Sequence, residues 1–212
     1  MGKLDENYFV PTSNDSNYQK IEDILEEDEQ LLWKGKPKKK AFVANAVLRM
    51  MPIAIIWLCF DIGFIVMAFG FGGLHGFITI FMIFFFMFHL FPVWKWISDI
   101  VTANRQHKNL DYAFTNKRII VKSGIIGIDF KNIYYSEINS VNLKVGIIDK
   151  MLHVGDVYIK SLEGATVLYD LENPYFITQK LQKIVVDIKT DIEFPNNLRP
   201  SENDGYNTKY RP

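Results

Sequence analysis

Between Met50 and Trp94 the only formally charged side chain is Asp61. No other feature of this 212-residue chain limits its fold so strongly. About 20 apolar residues in a helix cross a hydrocarbon core of about 30 Å. Two such stretches fit here, at about 47–71 and 74–96. The segment Gly70-Phe71-Gly72-Gly73 between them allows only a tight turn. The expected unit is therefore a transmembrane helical hairpin over residues 46–97. Soluble core helices rarely run this long without a polar face, which sets the alternative of a buried soluble pair aside. Lys34, Lys36, Lys38, Lys39, Lys40 and Arg49 precede the hairpin, and Lys95, Arg105 and Lys108 follow it. The turn carries no Lys or Arg, so the positive-inside rule places both termini in the cytoplasm. Trp94 and Trp96 beside Lys95 fit an interfacial belt.

Averages hide this division. The chain has 24 Lys+Arg against 24 Asp+Glu, and its mean hydropathy is +0.02. That balance excludes a strongly basic nucleic-acid binder, so no nucleic acid is expected as a partner. It also excludes an acidic disordered chain. Cys59 is the only cysteine, which excludes a disulfide framework and any Cys-based zinc site. The first apolar segment begins some 45 residues in, so it is expected to act as a retained anchor rather than a signal peptide. Glu6 stands where N-myristoylation wants Ser or Thr.

Asp61 lies near the middle of the first apolar stretch, where a carboxylate costs roughly 2.5–3.5 kcal/mol on the insertion scale. An antiparallel partner turning near Gly72 sets it level with Phe84 and Phe85, with Thr79 and His89 about a turn away. Asp61, Thr79 and His89 are thus the candidate intramembrane polar contact. One reading is a proton relay or a contact with a peptide or subunit. The other is a protonated Asp61 hydrogen-bonded across the hairpin or a dimer interface.

The N-terminal 1–45 reads as a cytoplasmic extension. Its first 17 residues are polar. Ile21, Ile24, Leu25 and Leu32 then sit at near-helical spacing among Glu22, Asp23, Glu26, Glu27, Asp28 and Glu29, which predicts a short acidic amphipathic helix. Gly35 and Pro37 stop it. The basic run Lys34–Lys40 follows. It serves topology, or it meets anionic lipid through Lys36, Lys38, Lys39 and Lys40.

Residues 98–190 change character to short alternating runs with Gly and Asn turns. Leu110, Tyr112 and Phe114 begin the series, and Ile119 and Val121 follow a Thr115-Asn116-Lys117 turn. Gly124 breaks that run. Next come Ile126, Ile128 and Phe130; then Val141, Leu143 and Val145; then Val157 and Ile159; then Val167, Tyr169 and Leu171. This spacing predicts a small antiparallel sheet or barrel. A helix opened by Asn173-Pro174 ends the series, with Phe176, Ile177, Leu181, Ile184, Val185 and Ile188 on one face. Residues 191–212 read as a disordered tail.

The segment Tyr112-Ala113-Phe114-Thr115-Asn116-Lys117-Arg118-Ile119-Ile120, with Ser123-Gly124-Ile125-Ile126, resembles the signature of bacterial membrane-flanked pleckstrin-homology (PH) domains. So do Gly155-Asp156-Val157-Tyr158-Ile159, Asn173-Pro174, and Leu32-Trp33-Lys34-Gly35-Lys36-Pro37 ahead of a helical hairpin. The resemblance covers roughly residues 29–189. It implies a bacterial cell-membrane protein of α+β class: a two-helix transmembrane hairpin carrying a cytoplasmic PH-like antiparallel β-barrel closed by a C-terminal helix. It does not imply phosphoinositide binding. The first turn of this domain is short and offers Lys117 and Arg118 only, either as lipid headgroup contacts or as locally tied side chains.

No phosphate loop, HExxH, GxSxG or Cys/His pair occurs, and the four histidines are scattered. No enzyme activity, metal or cofactor is expected. Three functions remain. The first is a membrane-anchored interaction or scaffold protein in envelope stress or membrane maintenance, with membrane lipids and a homo-oligomer or a membrane protein or peptide as partners. The second, which the resemblance suggests, is immunity to membrane-active bacteriocin peptides. The third is an oligomeric proton or substrate pathway using Asp61.

Overall fold

The structure, a computed structural model, describes residues 20–70 and 76–193. The polar segment 1–17, the turn around Gly72 and the tail after Glu193 fall outside the described residues.

Residues 20–35 form no amphipathic helix. Ile21–Ile24 makes a single 3-10 turn, and Leu31–Gly35 is a strand, β1. The helical spacing misleads because the acidic residues are placed by distant cations rather than by helix neighbours. Lys34 pairs with Glu22, Lys117 with Glu26 and Asp28, and Arg118 with Glu29.

Three helices follow. α1 is Lys39–Gly70, with Pro52 inside it. At 1.5 Å per residue it is about 48 Å long, and it is long and apolar enough to cross a membrane. α2 is Phe77–His89 and α3 is Phe91–Asn109. The second apolar stretch is therefore not one straight helix. It breaks at Leu90, ahead of Pro92, and the two pieces meet at 45°. The proline ring fits the first turn of α3 but lacks the amide that would continue α2. Together α2 and α3 pass the same length and hydropathy test as one bent span. Apart from Ala41, Ala54 and Asp61, no residue of α1 is buried, and α2 buries none.

The strands make two antiparallel sheets rather than a closed barrel. β2 (Asp111–Thr115), β3 (Arg118–Ser123) and β4 (Asp129–Tyr134) join β1 in the order β1-β2-β3-β4. β5 (Ile138–Lys144), β6 (Val154–Ser161) and β7 (Gly164–Glu172) form the second sheet in sequence order. A short helix α4 (Ile147–Leu152), which the sequence pattern did not announce, links β5 to β6. No ladder joins β4 to β5, so the rim stays open there.

Two details correct the expected strand faces. Ile126 is almost wholly exposed, and 125–128 is a loop before β4. Gly124 needs its lack of a side chain there: its φ is +139°, and a Cβ would stand 2.0 Å from the Gly127 carbonyl oxygen. In β7 the buried residues are Leu168, Asp170 and Leu171, while Tyr169 is exposed. Asp170 adopts a left-handed φ of 51°, and the register slips opposite Gly155 and Val157. This bulge reverses the alternation halfway along the strand.

α5 (Pro174–Glu193) covers the second sheet. Ile177, Leu181, Val185 and Ile188 enter one core with Tyr112, Phe114, Ile119, Ile133, Tyr135, Val157, Ile159 and Leu168. Phe176, placed on that face by its spacing, is exposed. β1 precedes the apolar helices and β2 follows them, yet the two pair from Leu31↔Thr115 to Gly35↔Tyr112. The whole apolar segment is thus inserted as the loop of a β-hairpin.

Candidate functional site

The turn between β2 and β3 holds the two cations singled out as headgroup contacts. Both are engaged. Lys117 Nζ lies 2.6 Å from Glu26 Oε2 and 2.6 Å from Asp28 Oδ1. These two carboxylates hold the Lys117 ammonium above its ordinary range. Arg118 is buried and donates from Nε to Glu29 Oε1 at 3.0 Å and from Nη2 to Glu29 Oε2 at 2.8 Å. A third bond from Nη2 reaches the Ile24 carbonyl at 3.1 Å. Burial alone would raise the Glu29 carboxyl, but hydrogen bonds from Arg118, Thr115 and the Glu26 amide outweigh it and hold it low. Asn116 seals the turn by accepting from the Gln30 amide at 2.9 Å. The turn is thus closed by the chain's own acidic segment.

The basic run divides. Lys36 lies 3.2 Å from Asp111 and donates to the Lys108 carbonyl at 3.3 Å. Lys38 lies 3.1 Å from Glu172 and donates to the Leu152 carbonyl at 3.2 Å. Lys39 and Lys40, at the start of α1, make no ion pair among the described residues. Of the six candidate headgroup residues, these two are the ones left to meet an external anion.

At the same junction Asn45 of α1 donates to Asp170 Oδ1 at 3.1 Å. Burial, with Asp156 and Asp149 nearby, pushes the Asp170 carboxyl up to about 7. No pattern in the sequence marked this cluster, because its members come from α1, α4, β6 and β7.

Within the apolar helices, the structure brings Asp61 and His89 together. His89 Nδ1 stands 2.7 Å from Asp61 Oδ1. Trp57 Nε1 donates to the His89 carbonyl at 2.8 Å, which satisfies a group freed by the helix break. The His89 ring also stacks on Phe85 at 4.8 Å and lies near Trp57 and Phe60. Asp61 is only 2% exposed, and its Oδ2 has no hydrogen-bond partner. Beside it lies a cavity of about 430 Å³ that Thr79 also lines. Thr79 shares the cavity with Asp61 and not with His89, and Phe84 and Phe85, expected level with Asp61, lie about one turn short of His89.

A second cavity of about 360 Å³ lies between β1 and α5. Leu32, Trp33, Phe114, Phe176, Leu181 and Ile184 supply its apolar walls, and Lys180 and Lys183 are at its rim. Asp187 lines it too; this carboxylate is 4% exposed and its Oδ2 has no partner. β1 is the edge of its sheet, so one side of its backbone carries no strand. Among the described residues no group of three or more His, Cys, Asp or Glu is arranged to hold a metal ion.

A family model described as "Bacterial PH domain" matches residues 54–185, more than half of the chain. No curated protein and no solved structure matches the chain. The matched segment begins inside α1 and so leaves out β1, the strand that completes the first sheet.

Proposed function

The chain belongs to the bacterial PH-domain family, and we propose that it is a two-pass membrane-anchored interaction module that binds an extended peptide segment of a partner on its cytoplasmic domain. It does so without catalysis.

One observation carries the two-pass reading: β1 and β2 flank the apolar helices and pair in one sheet. Both must lie on the same side of any membrane. If α1 crosses, the chain has to return before β2, and the bent α2–α3 pair is the segment available. Lys39, Lys40, Arg49 and Lys95 around the sheet-proximal ends favour the cytoplasmic side. Large exposed apolar faces on α1 and α2 are compatible with lipid and not with water.

The β1–α5 groove favours a peptide. An edge strand offers main-chain hydrogen bonds, and apolar walls take alternate side chains. The closed β2–β3 turn argues against headgroup recognition by Lys117 and Arg118. Lys39 and Lys40 then make a general contact with anionic lipid. The process served, envelope stress or resistance to membrane-active peptides, is read from the deletion phenotype.

A photoreactive residue at Leu32 or Lys183, expressed in cells, tests the groove. A discrete crosslinked protein or peptide, absent when the probe sits at exposed Leu162 on the far hairpin, is the expected result. Lipid-only adducts at both groove positions would sink the proposal. Cysteines placed at Asn173 and within residues 71–75 test topology: reagent that enters from one side only should modify one and not the other.

A further inference from the structure

We infer that the Asp61 cavity between α1 and α2 is a binding site for an uncharged amphiphile, an apolar chain whose hydroxyl donates to Asp61. The inference rests on the membrane-spanning reading of these helices.

Asp61 Oδ1 is taken by His89 at 2.7 Å, while Oδ2 is buried and has no partner. A carboxylate oxygen in an apolar site keeps a strong demand for a donor, and an unmet demand is costly. No backbone amide meets it, because helix amides are already used in the α1 ladder. The oxygen belongs to a residue that lines a cavity of about 430 Å³, within the range of about 300–1,000 Å³ typical of small-molecule sites. Thr79 is the one other polar residue of the lining; the rest, among them Leu58, Ile62, Ile65, Met82, Ile83 and Phe86, is apolar. Ile62 and Ile83 are exposed on their outer faces, so the cavity opens sideways, toward where acyl chains would lie. A few placed polar groups in an apolar pocket is the usual composition of a ligand site.

The charge balance selects the ligand class. With one proton between them, a carboxyl and an imidazole are jointly neutral whichever holds it. An ammonium would add an unbalanced charge inside the hydrocarbon, which is expensive. A hydroxyl meets the Oδ2 demand and adds none. An alkane fills the walls but leaves Oδ2 as it is. The pair is also held rigidly: Phe85 stacks on His89 and Trp57 bonds its carbonyl. The acceptor is therefore preorganised, and little ordering cost attends binding.

The test uses the full chain in lipid nanodiscs with a photoreactive alkyl alcohol, adducts being mapped by peptide mass spectrometry. Adducts should fall on Leu58–Ile65 and Met82–Phe86. Dodecan-1-ol should compete about tenfold better than dodecane, the factor expected for one hydrogen bond to a buried acceptor. Asp61→Leu should abolish that difference. Because Asp61→Leu also breaks the His89 contact, Ile65→Trp serves as the second variant. It fills the cavity one helical turn from Asp61 while leaving both members of the pair in place, and should remove the adducts while helicity is kept. Equal competition by dodecane, stronger competition by dodecylamine, or adducts unchanged in Ile65→Trp would each overturn the inference. So would a crosslink between two copies of the chain through the same residues, which would make a second copy the occupant. Carbonate extraction of cell membranes separates the two readings. Release into the aqueous fraction refutes the membrane span itself, whereas retention without alcohol-selective labelling refutes only the site.

Discussion

Replacing Glu29 with Gln should be among the most damaging single-atom changes in the two-sheet domain. The Glu29 side chain is fully buried, and its two oxygens accept four bonds: from Thr115 Oγ1 at 2.7 Å, Arg118 Nε at 3.0 Å, Arg118 Nη2 at 2.8 Å and the Glu26 amide at 3.1 Å. An amide in its place turns one oxygen into a donor that faces donors. It also leaves Arg118 charged, buried and unpaired. Breaking one partner of a buried pair costs about 3–5 kcal/mol. At roughly 4–8 °C per kcal/mol for a domain of about 100 residues, the midpoint should fall by about 12–24 °C for the lower figure. Thermal unfolding of the full chain in nanodiscs, followed by far-UV circular dichroism, reads this directly. The double variant Glu29→Met with Arg118→Met should recover most of the loss, because two apolar side chains of similar volume remove the desolvation penalty of both ions. Acid sharpens the test. Glu29 is held below its ordinary value, so its contribution is present above that value and lost as pH falls through the folded one. The gap between the unaltered chain and Glu29→Gln should therefore narrow in acid. If Glu29→Gln melts with the unaltered chain at neutral pH, the pair carries no stability and the argument fails.

Three further outcomes follow from the geometry. Asp170 is raised to about 7, so it binds its proton more tightly folded than unfolded; stability present below the ordinary carboxylate range is lost as pH rises from about 4 to about 7. Asp170→Asn should flatten that part of the profile and gain about 2 kcal/mol above pH 7, half the full shift after screening; Asn also tolerates the φ of 51°. Tyr112→Phe removes the acceptor of the Tyr169 amide at 3.0 Å and should cost about 1 kcal/mol in the same melt. Gly124→Ala places a Cβ 2.0 Å from the Gly127 carbonyl oxygen at a φ of +139°, and should cost of order 1–3 kcal/mol while leaving α1–α3 intact.

Much of this architecture was legible where structure is local. The apolar window, the Thr115-Asn116-Lys117 turn and the face of α5 follow from runs and periods that one segment contains. β1 was not legible as a strand. Ile21, Ile24, Leu25 and Leu32 sit at near-helical spacing, but the acidic residues among them are placed by Lys34, Lys117 and Arg118, the last two about 90 residues away. The face of β7 was misread for a different reason: Asp170 takes a left-handed backbone, and a single such residue inverts all alternation beyond it. For the polar contact, Asp61 and His89 were visible as residue types. Their meeting depends on the rotation of α2 and its break at Leu90, which Pro92 hinted at without fixing. The β1–α5 groove needed both ends of the chain at once.

The placement of β1 has a mechanical consequence. Only residues 36–38 separate β1 from α1, and Leu110 alone separates α3 from β2. The three-residue link is pinned throughout. Lys36 pairs with Asp111, His107 Nε2 donates to the Pro37 carbonyl at 2.8 Å, and the Lys38 amide donates to the Asp170 carbonyl at 2.9 Å. Asn45 adds a bond from α1 itself to β7. A domain on a flexible linker would adopt many orientations against a membrane; this one has no slack to do so. A tilt of α1 relative to α3 must therefore be absorbed at β1, an edge strand held on one side only. Trp33 of β1 stacks on Phe114 at 4.7 Å and lines the groove with α5. Any partner seated in that groove fixes the same strand. By reciprocity, an occupant that prefers one helix arrangement is bound more tightly when the helices already adopt it. The groove and the apolar helices are thus two ends of one short, stiff connection, and where those helices cross a bilayer the affinity of an occupant of the groove is expected to depend on that bilayer.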